Sequence, residues 1–218
     1  MATNFKDRPV PVFRNLLNYT LFAPAVQEGG KQARFTFSFM DARPRFTLFT
    51  NVATDEKKGI IGAGYYPEIF YGILDEFEQI LTAEPGTSSN VRNFVAVRTE
   101  DGRPTGEKVV ATQLTFGKDE TGILYIQMAA QGFTKIRFRF TLSEYHLIYK
   151  KDKTPLTEEE ASVLVAKNWL YGIRKACEIH SSQLAPEQAD RSALTAKPET
   201  QKPSSSNEDL LGFDDIPL

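Results

Sequence analysis

Apolar and polar side chains alternate with period two in short runs along this chain, the pattern of strands that bury one face. The runs cover residues 13–22, 33–40, 45–52, 92–99, 108–117, 122–130 and 135–142, which predicts about seven strands. Glu28-Gly29-Gly30, Asp101-Gly102, Asp119-Glu120-Thr121-Gly122 and Gln131-Gly132 lie between or beside them. These residue types favour hairpins and positive φ, so neighbours in sequence are expected to pair antiparallel.

Two segments have helical period instead. Over residues 67–82, Ile69, Phe70, Ile73, Leu74, Phe77, Ile80 and Leu81 form a stripe opposite Asp75, Glu76 and Glu78, and Pro67 suits a first helical turn. Thr157-Glu158-Glu159-Glu160 has capping-box spacing and opens a second helix through Val163, Ala166, Leu170, Ile173 and Cys177 to about His180. Three strands, a helix, further strands and a closing helix match the order of an OB-fold, a five-stranded Greek-key barrel with a helix between its third and fourth strands. The expected fold is therefore mainly β with two helices, an elaborated OB-fold with an extra C-terminal helix, over residues 1–182.

After residue 182 the periodicity stops and Gln, Pro, Ser, Ala and Thr dominate to residue 207. Such a composition buries too little apolar surface to offset chain entropy, so 183–207 is expected to be a disordered linker. Residues 208–218 then gather four acids and no base with Leu210, Leu211, Phe213, Ile216 and Leu218. Solubility alone does not explain apolar side chains at such a tip. Phe213, Ile216, Pro217 and Leu218 can fill a pocket while Asp214, Asp215 and a terminal carboxylate meet a basic rim, which predicts a partner-docking peptide.

The charge follows the same division. The chain holds 26 basic and 28 acidic residues, of which residues 187–218 take three and seven, so the body is +2 and the tail −4. On the strand at 135–140, Lys135, Arg137 and Arg139 share one face and Ile136, Phe138 and Phe140 the other. Like charges on one strand face call for a polyanion such as a phosphate backbone, or they merely guard a solvated edge. Arg34, Arg43 and Arg45 cluster around the second hairpin, where OB-folds often bind ligands. Phe35, Phe37 and Phe39 are read as core. Phe49, which shares a face with Arg45 and Thr47, Tyr125 beside Gln127, and the loop residues Tyr65, Tyr66 and Phe133 are the candidate stacking aromatics. Bases stacked on aromatic rings with phosphates held by Lys or Arg are what sequence-tolerant single-strand binding requires.

Phe213-Asp214-Asp215-Ile216-Pro217 resembles the tip of bacterial single-stranded DNA-binding proteins, an acidic run followed by Ile-Pro-Phe, with Leu218 in the place of the last phenylalanine. In layout the body is similar to phage replicative single-stranded DNA-binding proteins, which join an OB-fold to an acidic C-terminal tail. The resemblance implies coating of exposed strands in replication, recombination or repair. It also implies recruitment through the tip of polymerase, primase, helicase or host proteins that recognise the bacterial tip. Strand annealing and a metal-dependent nuclease are the alternatives, and a homo-oligomer is compatible with all three.

Enzymatic signatures are poor. Residues 57–64 are glycine-rich but lack the Gly-Lys-Ser/Thr ending of a phosphate-binding loop, residues 102–108 miss its spacing, and both read as turns. Cys177 and His180 lie one helical turn apart in an apolar stripe and read as packing, while His146 and His180, the only histidines, show no zinc spacing. No catalytic residue, metal or cofactor is expected. With one cysteine and no long apolar run, no intrachain disulfide and no membrane span are expected, and a cytoplasmic location fits.

Overall fold

A computed structural model describes residues 19–40 and 43–194, with side chains to residue 181. The order of elements is β1 (Leu21–Ala23), β2 (Ala33–Met40), β3 (Arg43–Phe49), β4 (Ile60–Gly64) and α1 (Pro67–Ile80), then β5 (Ser88–Arg98), β6 (Pro104–Lys118), β7 (Leu124–Ala129), β8 (Ile136–Arg139) and α2 (Glu158–Leu194). Four strands followed by a helix thus occur twice. Each set of four forms its own antiparallel sheet in simple sequence order, β1-β2-β3-β4 and β5-β6-β7-β8. The edge strands β1 and β8 run beside each other without ladder pairing.

The expectation of a mainly β protein with two helices therefore holds, while its finer part does not carry over. No sheet among the described residues closes into a barrel, and the first helix follows the fourth strand, between the two sheets, rather than the third. The difference comes from β4, whose sequence, Ile60-Ile61-Gly62-Ala63-Gly64, was expected to be a turn. Only Glu56–Gly59 turns; beyond it Ile61 and Ala63 point into the core while the alternate glycines face outward. Glycine normally weakens a strand, and here its absence of side chain leaves room, because a Cβ on Gly62 would lie 2.1 Å from Arg45 Nη2.

Alternation places Phe35, Phe37, Phe46 and Leu48 on the inner face of the first sheet and Leu114, Phe116, Leu124, Ile126, Met128 and Phe138 on that of the second, all buried. The helices fill the space behind them. Phe70 of α1 stacks on Phe37 (5.6 Å between ring centroids), Phe77 on Phe116 (4.5 Å), and Trp169 of α2 on Phe46 (6.0 Å, rings 14° apart). Trp169 Nε1–H also donates to the Tyr19 carbonyl at 3.2 Å, so the indole is both packed and satisfied.

The second helix starts as its sequence predicts, with Thr157 and Glu160 bonded reciprocally: the Thr157 N–H donates to Glu160 Oε2 (2.9 Å) and the Glu160 N–H to Thr157 Oγ1 (3.2 Å). It does not stop near His180. Its backbone continues to Leu194, into the stretch expected to be linker. By contacts the chain divides into Met1–Ser182 and Gln183–Leu218, and the sheets and α1 belong to the first unit. The rest of the expected linker and the tip at 208–218 lie outside the described residues, as does most of the first expected strand.

One buried hydrogen bond ties α2 to the second sheet: the Leu124 N–H donates to Ser162 Oγ at 2.8 Å, and Ser162 is wholly buried. In Ser162→Ala that amide keeps no partner, a loss of about 1–3 kcal/mol. Urea unfolding of the variant checks this, and an unchanged midpoint would remove the bond from the account.

Candidate nucleic-acid interface

What faces away from the core is uniform in character. On the first sheet the cross-strand rows read Phe22, Arg34, Phe49, Ile60; then Thr36, Thr47, Gly62; then Ser38, Arg45, Gly64; then Met40, Arg43. On the second they read Ser88, Gly117, Tyr125, Arg139; then Asn90, Thr115, Gln127, Arg137; then Arg92, Gln113, Ala129. These rows carry six arginines, neutral hydrogen-bonding side chains and a few aromatics, and no carboxylate.

In each sheet a guanidinium lies on the face of an aromatic ring of the third strand. Arg34 Cζ is 4.2 Å from the Phe49 ring centre and Arg137 Cζ 4.6 Å from that of Tyr125. Arg43 does the same 4.4 Å above Tyr66, at the entrance to α1. Such contacts stabilise by about 0.5–1 kcal/mol at exposed positions, little enough for a ligand to replace them. A groove of about 220 Å³ runs over the first sheet, with Thr36 and Thr47 at its floor and Phe22, Arg34, Ser38 and Phe49 along it. Phe22 is 53% exposed.

The expected site residues thus fall into distinct settings. Arg34, Arg43, Arg45 and Phe49 come together on one sheet face, and Tyr125, Arg137 and Arg139 on the other sheet. Lys135 is exposed just before β8. Arg139 is not the unpaired cation that strand repulsion suggested, since it forms an ion pair with Asp119. Burial raises the pKa of that carboxyl, but hydrogen bonds from Thr121, Ile123 and Arg139 outweigh it and hold Asp119 below its ordinary value. Arg45 spreads over Gly62, donates from Nη1 to Met40 Sδ (2.7 Å) and keeps a buried Nε without a hydrogen bond.

Three expected stacking residues are placed otherwise. Tyr125 is buried, 8% exposed, its ring under the Arg137 guanidinium and close over Gly117, so a base reaches it only where Arg137 moves away. Tyr65 is only 4% exposed, its ring set against Phe46 and Phe70 in the core, so it has no free face for a base. Phe133 is half-buried and packs against the same core. Tyr66, in contrast, is 54% exposed. Phe22, Arg92 and the threonine floor were missed by the sequence reading, because only the strand register aligns them with the arginines. Phe213, Asp214, Asp215, Ile216, Pro217 and Leu218 lie outside the described residues. Cys177 is buried, which pushes its thiol up to about 12. Among the described residues no group of three or more His, Cys, Asp and Glu is placed to hold a metal ion, and no helix is long and apolar enough to cross a membrane.

No family model matches the chain, and neither a curated protein nor a solved structure does.

The Tyr65 hydroxyl is buried without a hydrogen bond, with the Asn93 side chain the polar group beside it. Burial pushes its pKa from 10.0 up to about 12. The unfolded chain therefore releases this proton first, and the stability held below pH 10 is lost as pH rises toward 12. Cys177 adds a loss that begins nearer pH 9. Tyr65→Phe is expected to keep the Cys177 part and flatten the decline between pH 10 and 12, as read by urea unfolding at both ends; an equally steep decline would contradict the assignment.

Proposed function

We propose that this protein binds single-stranded DNA without strong sequence preference, across the outward faces of its two sheets. The observation that carries the reading is the repeated pairing of an arginine with an aromatic ring on sheet faces whose cross-strand rows are otherwise neutral and hydrogen-bonding, with Asp119 at the end of the second sheet the one carboxylate paired to a row arginine among the described residues. A single strand needs flat apolar surfaces for its bases and cations for its phosphates, and these faces offer both at neighbouring positions. The two are also coupled, since a base that settles on Phe49 frees Arg34 to turn to the adjoining phosphate.

This reading does not require the closed Greek-key barrel of an OB-fold. An open antiparallel sheet with one face committed to the core presents the same alternate set of side chains. The resemblance to phage replicative and bacterial single-strand binders supports the further assignment of coating and protection in replication, recombination or repair. It is the sequence of the tip, Phe213 to Leu218, that supports docking of replication or repair proteins.

Fluorescence anisotropy with a labelled oligo-dT provides the test. Phe49→Ala is expected to cost about 1–3 kcal/mol of binding free energy. Arg34→Ala should weaken binding and lower the slope of log K against log salt by about one. Equal affinity and slope in folded variants, or equal binding of wild-type protein to duplex, would overturn the reading. The tip has its own test: as a tethered polyanion it competes for the arginines, so deleting residues 208–218 tightens oligo-dT binding at low salt. Unchanged affinity would remove that competition.

A further inference from the structure

The inner part of the β5–β6 hairpin belongs to the second sheet, with Val91, Leu114 and Phe116 packed on the core. The outer part does not. Past a register shift at Asn93/Phe94 the two strands run on as a ribbon, and every residue from Pro104 through Val110 is exposed. Phe94 pairs with Val110 and Val95 with Val109, so this ribbon shows apolar side chains on both of its faces. All four are exposed, Phe94 by 56%. A two-stranded ribbon is at best marginally stable by itself, and large exposed apolar groups at its root mark a binding surface.

Between that root and strand β4 lies a cleft of about 400 Å³, a size typical of small-ligand sites. Tyr66 and Ile69 at the start of α1 and Phe94 and Val95 at the ribbon's root line it, and Arg92 adds a cation. The β4 side is Gly62 and Gly64, and a Cβ added to Gly64 would meet nothing within 4 Å. Tyr65, though buried, and Asn93 beside its hydroxyl are also among the lining residues. No carboxylate lines the cleft, and Arg43 rests on the Tyr66 ring.

The cleft also continues the groove on the first sheet. Gly62 pairs with Thr47 of the groove floor and at the same time lines the cleft, so β4 is their common border. Cations without carboxylates favour a polyanion, and exposed aromatic walls favour a planar base.

We propose that the cleft receives a base of the bound single strand and that the β5–β6 ribbon is the clamp that closes over it, with Arg43 and Arg92 on the flanking phosphates. The proposal rests on the reading of the sheet faces as a single-strand interface and adds a second, separately testable contact to it. Gly64 is its point of close approach: open space above it lets a strand cross the sheet edge with its backbone close to that of the protein, while the Arg45 guanidinium lies over Gly62.

The full chain and three variants, Phe94→Ala, Gly64→Val and Phe49→Ala, are compared for oligo-dT affinity, for fluorescence of oligonucleotides carrying one 2-aminopurine, and for sedimentation without DNA. Circular dichroism confirms folding, and Gly64→Val, which fills open space on a strand, guards against a loss of structure in Phe94→Ala. Phe94→Ala and Gly64→Val are each expected to raise the Kd at least about fivefold and to lose part of the 2-aminopurine quenching given by the wild type. Wild-type affinity in both, with a loss in Phe49→Ala, would overturn the clamp and leave the sheet-face reading standing. No binding by the wild type would overturn both. A change from dimer to monomer in Phe94→Ala without a change in affinity would show the ribbon to be a contact between copies and overturn the clamp.

Discussion

The aromatic packing around Trp169 determines what the rest of the molecule is able to expose. Its indole stacks on Phe46, meets Phe35 and Phe140, and is held in place by the Tyr19 carbonyl, so it gathers both sheets and the second helix around one side chain. Once Phe35, Phe37, Phe46 and Leu48 are turned toward it, the two-residue repeat of a strand leaves no choice for their neighbours. Arg34, Thr36, Ser38, Arg45, Thr47 and Phe49 must face outward. A slip of one residue would bury three arginines without partners, a cost far beyond any single packing contact. The core therefore fixes the register, and the register assembles the arginines, threonines and aromatics into a surface.

The twofold use of four strands and a helix extends this logic. The second sheet repeats the arrangement on a different set of residues, with Tyr125 on its third strand as Phe49 is on the third strand of the first. The equivalence is one of position in a sheet, for the covering arginines come from β2 in one case and β8 in the other. Glycine recurs as well, next to Thr47 as Gly62 and next to Tyr125 as Gly117. A Cβ on Gly117 would lie 2.8 Å from Tyr125 Cζ, so the ring lies flat only because the neighbouring strand has no side chain there.

Much of this was legible in the chain. The span of β2, the start of α1 and the capping box of α2 follow from local pattern, because alternation, Pro67 and the pair Thr157 and Glu160 each act within a few residues. The strand β4 was not legible, since its glycines satisfy a constraint set by Arg45 on another strand. Missing it moved the helix one place in the strand order and suggested a barrel. Tyr65 failed for a similar reason: two adjacent tyrosines look alike in sequence, yet the turn into α1 buries the first and exposes the second. The doubled architecture was hidden by unequal strand lengths, three residues in β1 against eleven in β5.

The arginine placed over each ring bears on how such a surface would work. In the free protein the guanidinium covers an apolar ring face, which lowers the area left in water, and keeps its charge at the surface. A contact of this kind contributes about 0.5–1 kcal/mol, whereas a stacked base contributes about 1–3. On the proposed reading a base would prevail over the arginine for the ring, and the displaced cation would gain a phosphate next to it, releasing counterions. Arg139 differs because Asp119 holds it, and the three hydrogen bonds to Asp119 from Thr121 and Ile123 keep that carboxylate in place. On the proposed reading Arg34, Arg43 and Arg137 are the adaptable contacts and Arg139 a fixed one. The balance between stacking and ion pairing within each row, rather than the body's small excess of two positive charges, then decides where a strand is held.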